Sequence, residues 1–241
     1  MADGGSRGVT EDVQDLLDGL IQQLCPGWEC VLPERLKANH ARYELIAAKR
    51  MQVARALQRS PDQTLALAEQ VLAAIVADED PSCNRQLVEP LVAAVGRRAV
   101  LAGLLSYVQS GSPAQKAGAV RGWYWAQPTV VYASSADFRA RRPTLSSRGE
   151  ADEVAELRRL LRTACLTAFL TTEDAQVRAA LAMWFTLNPG DYPPAIAGSV
   201  DHARRVAAGD PQRYHRLLAN TTEPGLTQLG ERPSGRWVPD P

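Results

Sequence analysis

Aromatic residues and isoleucine are scarce in this chain. Among its 241 residues there are 3 Phe, 6 Tyr, 5 Trp and 4 Ile, against 37 Ala and 28 Leu. Alanine and leucine lose little free energy on entering a helix, whereas aromatic and β-branched side chains favour strands. The composition therefore predicts an all-α protein.

An excess of charge of either sign is also lacking. The 27 basic and 27 acidic side chains cancel, and the isoelectric point lies near 6.8. Non-specific binding to nucleic acid or anionic lipid needs clustered positive charge, and this balance gives it no support. Of the basic residues 24 are Arg and 3 are Lys, which together with the excess of Ala indicates a GC-rich bacterial genome.

Long apolar runs are missing as well. No stretch approaches the roughly 20 apolar residues that span a bilayer. The first eight residues are small and polar, so the apolar segment of a secretory signal is not visible there. These observations predict a cytoplasmic protein with no membrane partner.

The residue sets that hold metals or perform catalysis are not evident either. Cys25 and Cys30 lie close in sequence, but zinc would need a second pair of ligands at matching spacing. His40, His202 and His215 are dispersed, and neither a glycine-rich phosphate loop nor a nucleophile motif is present. We therefore expect no metal, no cofactor, no catalytic residue and reduced cysteines.

Residues 1–9 are polar and glycine-rich, and we expect them to be disordered. The region 10–60 predicts two helices, an acidic one followed by a basic one. The simplest interpretation is an antiparallel pair with complementary charges. The alternative is a basic face for an acidic partner or a phosphate backbone, formed by residues at seven-residue spacing, Arg35, Arg42 and Lys49.

From residue 61 to 219 helical patterns follow one another with short turns, except at 127–150. This inserted segment contains Pro128, Pro143 and several arginines, and it predicts a long loop. Loops of this length in compact domains are usually functional or disordered, so we expect 134–148 to be mobile. The remaining residues, 220–241, predict an extended tail.

A repeated pattern occurs within the helical region. Pro113–Val120 aligns without gaps to Asp174–Leu181, and Asp80–Leu87 aligns more weakly. The alignment makes the predicted helices 113–126 and 174–187 equivalent, and it places Trp123 on Trp184. Once the inserted segment is removed, the spacing of the windows suits one helical hairpin per repeat.

The window from Asp174 to Leu181, Asp-Ala-Gln-Val-Arg-Ala-Ala-Leu, resembles the opening of the second helix in HEAT-type repeats. The resemblance covers about residues 61–218. It implies a right-handed α-solenoid of helical hairpins, preceded here by the N-terminal helical pair. It also implies that Asp174 caps its helix and that Arg178 bonds into the neighbouring turn.

Three consecutive aromatic residues, Trp123, Tyr124 and Trp125, span about 200° of a helix and cannot all face one core. The repeat register predicts that Trp123 and Trp184 are buried and that Trp125 points outward. Arg121 lies four residues before Trp125, where its guanidinium could lie on the indole. The alternative is that the inserted segment covers Trp125.

These features predict a non-enzymatic binding or scaffold protein that presents a helical-repeat surface to a protein partner, an acidic segment above all. Trp and Arg dominate binding hot spots, so the predicted surface consists of Arg121, Trp125, Arg139, Arg141 and Arg142.

Two other functions stay open. One is nucleic-acid binding, as in HEAT-like DNA glycosylases, with Arg35, Arg42 and Lys49 in the groove. The other is an enzyme with a small-ligand pocket between separated helices.

Overall fold

The computed structural model describes residues 12–30 and 38–219. Regular structure in this part is helical throughout and contains no strand, which confirms the all-α class. The chain divides into two compact units between Ala126 and Gln127, where the inserted segment begins. The predicted disordered N-terminus, the C-terminal tail and Arg35 lie outside the described residues.

The first unit is built from pairs of packed helices. They are α1 (Val13–Leu24), α2 (Ala38–Arg59), α3 (Pro61–Ala66), α4 (Ala68–Ala77), α5 (Arg85–Val95), α6 (Arg97–Ser110) and α7 (Pro113–Ala126). Helix α4 packs on both α1 and α7, while α5 packs on both α2 and α6. The short helix α3 packs on α5.

Helices α1 and α2 pack together and their opposite charges meet, but the predicted antiparallel arrangement is wrong. Arg42 Nη2 lies 3.0 Å from Asp12 Oδ2, and Lys49 Nζ lies 2.6 Å from a carboxylate oxygen of Asp18. Both residue numbers rise together, so the two helices run in the same direction.

Two glycines allow α7 to approach α4 closely. A Cβ on Gly118 would lie 1.7 Å from the carbonyl oxygen of Val76, and one on Gly122 would lie 2.7 Å from Cγ2 of Ile75. The four-residue spacing puts both glycines on one face of α7. This contact fixes the part of α7 that carries Arg121 beside the end of α4.

The second unit packs α10 (Ala155–Thr171) against α11 (Ala175–Leu181) and α12 (Pro194–Ala208). Its aromatic core centres on Phe169, whose ring lies 5.0 Å from that of Phe185 and 5.4 Å from that of Tyr214. A short 3-10 turn, Pro189–Asp191, precedes α12, and α13 (His215–Ala219) follows it.

Helix α11 is only half as long as α7, so the predicted equivalence of 113–126 and 174–187 ends at Leu181. Beyond it the chain leaves the helix, and the Tyr192 hydroxyl bonds both the N–H and the C=O of Thr186, five residues further on. Trp123 is buried as predicted, but Trp184 lies after α11 and is half-buried.

The inserted segment is not the continuous loop that the sequence predicts. It contains α8 (Ser135–Arg139) and the start of α9 (Leu145–Glu153), each capped by the hydroxyl of the preceding residue, Ser134 or Thr144. Its two ends are tied together, because the Thr144 N–H donates to the Val131 carbonyl at 2.9 Å.

Candidate functional site

The first unit contains a cavity of about 590 Å³. Helices α1, α2, α4, α6 and α7 contribute to its walls, together with the turn that follows α4. Its polar lining consists of charged side chains of both signs, two phenols and one amide. These residues are Asp12, Arg42, Tyr43, Arg50, Asp78, Glu79, Asp80, Tyr107, Gln115 and Arg121.

A buried ion pair forms one wall of the cavity. Arg50 on α2 and Asp78 at the end of α4 both have side chains only 2 % exposed. Arg50 Nη2 donates to Asp78 Oδ1 at 2.9 Å, and Arg50 Nε lies 2.7 Å from Asp78 Oδ2. Arg50 Nη1 makes no hydrogen bond within the described part of the chain, and Asp80 Oδ2 is 3.9 Å from it.

The turn 78–84, which carries both aspartates, is held by side-chain caps. Asp78 Oδ1 accepts the Asp80 N–H at 3.0 Å, and Asp80 Oδ1 accepts the N–H of Ser82 at 2.9 Å. The Asn84 amide donates to the Ile75 carbonyl at 2.9 Å. These bonds fix the two carboxylates relative to Arg50.

Trp125 on α7 also contacts this turn. Its indole N–H donates to the Pro81 carbonyl at 2.6 Å, and the guanidinium of Arg85 lies 5.6 Å from its ring centre. The sequence predicted Arg121 as the partner of this indole, but the cation over the ring is Arg85. Trp125 thus holds the turn 78–84 in place, which is a structural role that the prediction of an outward-pointing anchor did not include.

Arg121 instead lines the cavity. Its Nε is buried and makes no hydrogen bond within the described residues. Burial lowers the pKa of Arg121, while the nearby carboxylates of Glu79 and Asp78 act to raise it. The predicted site residues Arg121 and Trp125 therefore lie one turn apart on α7 but make different contacts. Arg121 lines the cavity, and Trp125 contacts the turn 78–84.

The two aspartates beside Arg50 differ in acidity. Burial raises the pKa of Asp78, and this effect outweighs the attraction of Arg50. Burial also acts to raise the pKa of Asp80, but hydrogen bonds from Ser82 and Cys83 and the charge of Arg50 outweigh it and lower that pKa. Burial raises the pKa of the Cys83 thiol, so this residue is not an activated nucleophile.

The alternative basic face on α2 is largely neutralised. Lys49 is buried against Asp18, and Arg42, although exposed, is paired with Asp12. These contacts favour charge pairing between α1 and α2 over an open basic surface.

The other predicted binding residues, Arg139, Arg141 and Arg142, lie in the inserted segment of the second unit and are exposed. They surround the turn between α8 and α9, where Arg141 adopts a positive φ of 51° and the Arg142 N–H donates to the Asp137 carbonyl at 2.8 Å. The turn therefore projects several guanidinium groups from a hydrogen-bonded backbone.

Exposed apolar side chains accompany these arginines. Leu145 is 80 % exposed, Val131 51 % and Phe138 46 %. Phe138 packs edge-on against Tyr132, with ring centres 5.3 Å apart. The binding residues predicted for this segment were its arginines alone, and these apolar side chains were not among them.

The described residues do not bring a metal-binding set together. No group of three or more His, Cys, Asp and Glu side chains within them could hold a metal ion. None of their helices has the length and apolarity required to cross a bilayer.

Arg50 is the site residue that the sequence analysis missed. A signal for it exists, because residues 46, 53 and 57 of α2 predict a buried stripe and position 50 falls within it. A charged residue within an apolar stripe calls for a buried partner, but Asp78 is too distant in sequence to be assigned from spacing alone.

The chain matches no protein-family model, no curated protein and no solved structure.

Proposed function

We propose that the protein is a non-enzymatic binding protein whose inserted segment, residues 127–150, docks an acidic segment of a protein partner. The observation that carries this proposal is the combination of exposed apolar side chains and arginines. Of the six large apolar side chains exposed in the described part of the chain, Val131, Phe138 and Leu145 lie in this segment.

The chemistry of the segment favours an acidic amphipathic peptide. Carboxylates of the partner bind guanidinium groups, because an arginine and a carboxylate can form two parallel hydrogen bonds. Apolar side chains of the partner cover Phe138 and Leu145, and this burial supplies free energy that a surface ion pair alone does not. The recognised chain therefore combines Asp or Glu with leucine-like or aromatic residues.

Nucleic acid is the less favoured partner. The overall charge is zero, and Arg42 and Lys49, the two described residues of the predicted basic face, are paired with Asp12 and Asp18. Phosphate contacts would also leave Leu145 exposed. Docking of a protein segment explains the apolar side chains, which phosphate binding does not.

A HEAT-like, right-handed solenoid architecture is part of the same proposal. One observation supports it: Asp174 and Arg178 make the contacts that the resemblance implies. Helices α1 and α2 precede the region of resemblance and run in the same direction, so they are not one of its hairpins. The last pair of the first unit departs from strict repetition, because α7 rather than α6 packs extensively on α4. An experimental structure in which successive antiparallel helix pairs of residues 61–218 superpose by a right-handed rotation would establish the architecture.

Photocrosslinking tests the docking surface. We would place p-benzoylphenylalanine at position 145 of the full chain, irradiate it in an extract of the source cells and identify the adducts by mass spectrometry. The same residue at position 65 is the control, because Leu65 is exposed on the first unit. We expect an adduct with an acidic protein from position 145 alone.

Charge variants sharpen this test. Arg139→Ala combined with Arg142→Ala should reduce the adduct at least about tenfold, which corresponds to about 1.4 kcal/mol. Arg205→Ala, which removes an exposed arginine of α12, should leave it unchanged. Equal adducts from positions 145 and 65, or an adduct that is nucleic acid or lipid, would overturn the proposal.

A further inference from the structure

We propose that the cavity of the first unit is a binding site for a small zwitterion with an apolar body, such as an α-amino acid with a large aliphatic or aromatic side chain. This site is separate from the inserted segment and does not depend on the function proposed for that segment.

The first argument is the hydrogen-bonding state of two arginines. Arg50 is almost completely buried, yet its Nη1 has no acceptor among the described residues. The buried Nε of Arg121 also makes no hydrogen bond within that part of the chain. Both side chains line the cavity. Buried donors without acceptors are costly, so a group with acceptor oxygens would be favoured here.

The second argument is charge. The lining holds three arginines, Arg42, Arg50 and Arg121, and four carboxylates, Asp12, Asp78, Glu79 and Asp80. The sum is −1, so a multiply charged anion such as phosphate would meet net repulsion. A ligand that supplies a carboxylate to the guanidinium groups and a compensating ammonium group to the carboxylates satisfies both requirements.

The spacing of the charges fits such a ligand. Arg50 Nη1 and Asp80 Oδ2 are 3.9 Å apart, which is too far for a hydrogen bond. An α-amino acid carries its ammonium and carboxylate on one carbon atom. It can therefore present the carboxylate to Arg50 and Arg121 and the ammonium to Asp80 and the exposed Glu79.

The remaining walls are apolar. They are formed by aliphatic residues of α1, α2 and α4, namely Val13, Leu16, Ile46, Ala73, Val76 and Ala77. The volume, about 590 Å³, lies in the range of small-molecule sites and leaves room beyond the charged groups. A large apolar side chain of the ligand would fill this space and contribute binding free energy through burial.

Isothermal titration calorimetry of the full chain with a ligand series tests the assignment. The series contains L-leucine, L-phenylalanine, N-acetyl-leucine, which lacks the ammonium, isoamylamine, which lacks the carboxylate, and inorganic phosphate. We expect leucine or phenylalanine to bind and both truncated analogues to bind at least tenfold more weakly. Absence of binding by both amino acids below a Kd of about 1 mM overturns the proposal, as does equal binding of an analogue or preferential binding of phosphate.

Two variants with matched controls assign the charged halves. Arg121→Ala should weaken leucine binding at least tenfold, whereas Arg55→Ala, an exposed arginine outside the cavity, should not. Glu79→Gln should weaken leucine binding but not that of N-acetyl-leucine, and Glu69→Gln on α4 should affect neither. Glu79 is exposed, so this arm remains decisive even if Arg121→Ala fails to fold. Unchanged leucine affinity in Glu79→Gln would refute the ammonium contact.

Discussion

Each unit buries a group of polar side chains, and the two groups differ in how completely their hydrogen bonds are made. In the second unit the Tyr192 hydroxyl accepts the Thr186 N–H at 3.0 Å and donates to the Thr186 carbonyl at 2.7 Å. The Thr186 hydroxyl donates to Asp191 at 2.5 Å. In the first unit, by contrast, Arg50 and Arg121 keep donors that no described residue accepts.

This difference distinguishes the group around Tyr192, which has a structural role, from the group around Arg50, which borders the proposed binding site. The group around Tyr192 satisfies the buried N–H and C=O of Thr186 beyond the end of α11, and burial raises the pKa of Tyr192 to about 12, so the phenol stays neutral. The group around Arg50 borders a cavity and retains donor capacity. A buried group with all partners present stabilises a fold, whereas one with unused donors beside a cavity is suited to a ligand.

The largest expected effect is that of Asp78→Ala. This substitution leaves the Arg50 guanidinium buried without its close partner, and we expect the free energy of unfolding to fall by about 3–5 kcal/mol. Urea denaturation measures the change. The double variant Arg50→Met with Asp78→Leu should recover most of the loss, because it removes both charges. A loss below about 1 kcal/mol in the single variant would show that the pair is not buried as described.

Next in size is Gly118→Ala on α7. Its Cβ would collide with the Val76 carbonyl and separate α7 from α4, and we expect a loss of about 3 kcal/mol, at the upper end of overpacking effects. Gly198→Ala on α12 of the second unit is the control, since a Cβ there meets nothing within 4 Å. It should raise stability by up to about 1 kcal/mol, because alanine is the better helix former. Equal melting temperatures for the two variants would contradict the close approach of α4 and α7.

Tyr192→Phe tests the polar group of the second unit, in which the hydroxyl of Tyr192 bonds Thr186. It removes the hydroxyl and leaves the buried N–H and C=O of Thr186 without that partner, so we expect a loss of about 1–3 kcal/mol. The comparison with Asp78→Ala is direct, because both substitutions remove one partner from a buried polar group, but only the latter leaves a charge behind. A larger loss for Tyr192→Phe than for Asp78→Ala would reverse the assignment of the two groups.

Local features of the fold could be predicted from the sequence. Helix α7 has the predicted bounds, Trp123 is buried, and Asp174 caps α11 through Gln176 and Val177. The bounds of α7 follow from helical periodicity, because neighbours in sequence are neighbours on a helix. The burial of Trp123 follows from the repeat alignment, and the cap at Asp174 follows from the resemblance to HEAT-type repeats.

Features that depend on distant partners were not predictable. The relative direction of α1 and α2 depends on the segment that joins them, and the Arg50–Asp78 pair joins residues 28 positions apart. Complementary charge showed that α1 and α2 pair but not in which direction. The spacing of Gly118 and Gly122 was visible, yet its meaning required knowledge that α4 lies against that face.

The smallest expected effect is the pH dependence of the two aspartates in the first unit. The groups around them are Arg50, Arg121, Tyr43, Glu79 and Cys83. The native state raises the pKa of Asp78, so it binds this proton more tightly than the unfolded chain does. The contribution of Asp78 to stability is therefore most favourable below the ordinary aspartate pKa and decreases as pH rises through its native pKa. Asp80 has a lowered pKa, and its contribution is present above the ordinary pKa and decreases as pH falls.

Urea denaturation of the wild type, Asp78→Asn and Asp80→Asn between about pH 4 and 7 measures these opposite signs, starting at the ordinary aspartate pKa. The stability of the wild type relative to Asp78→Asn should decrease as pH rises, because the variant lacks the carboxyl group whose ionisation burial opposes. The stability of the wild type relative to Asp80→Asn should be greater in the upper part of this range than at its acid end, because hydrogen bonds and Arg50 favour that carboxylate. If the stability difference between wild type and variant changed with pH in the same direction for both variants, the two carboxylates would share one environment. Burial would then not raise the pKa of Asp78 relative to that of Asp80.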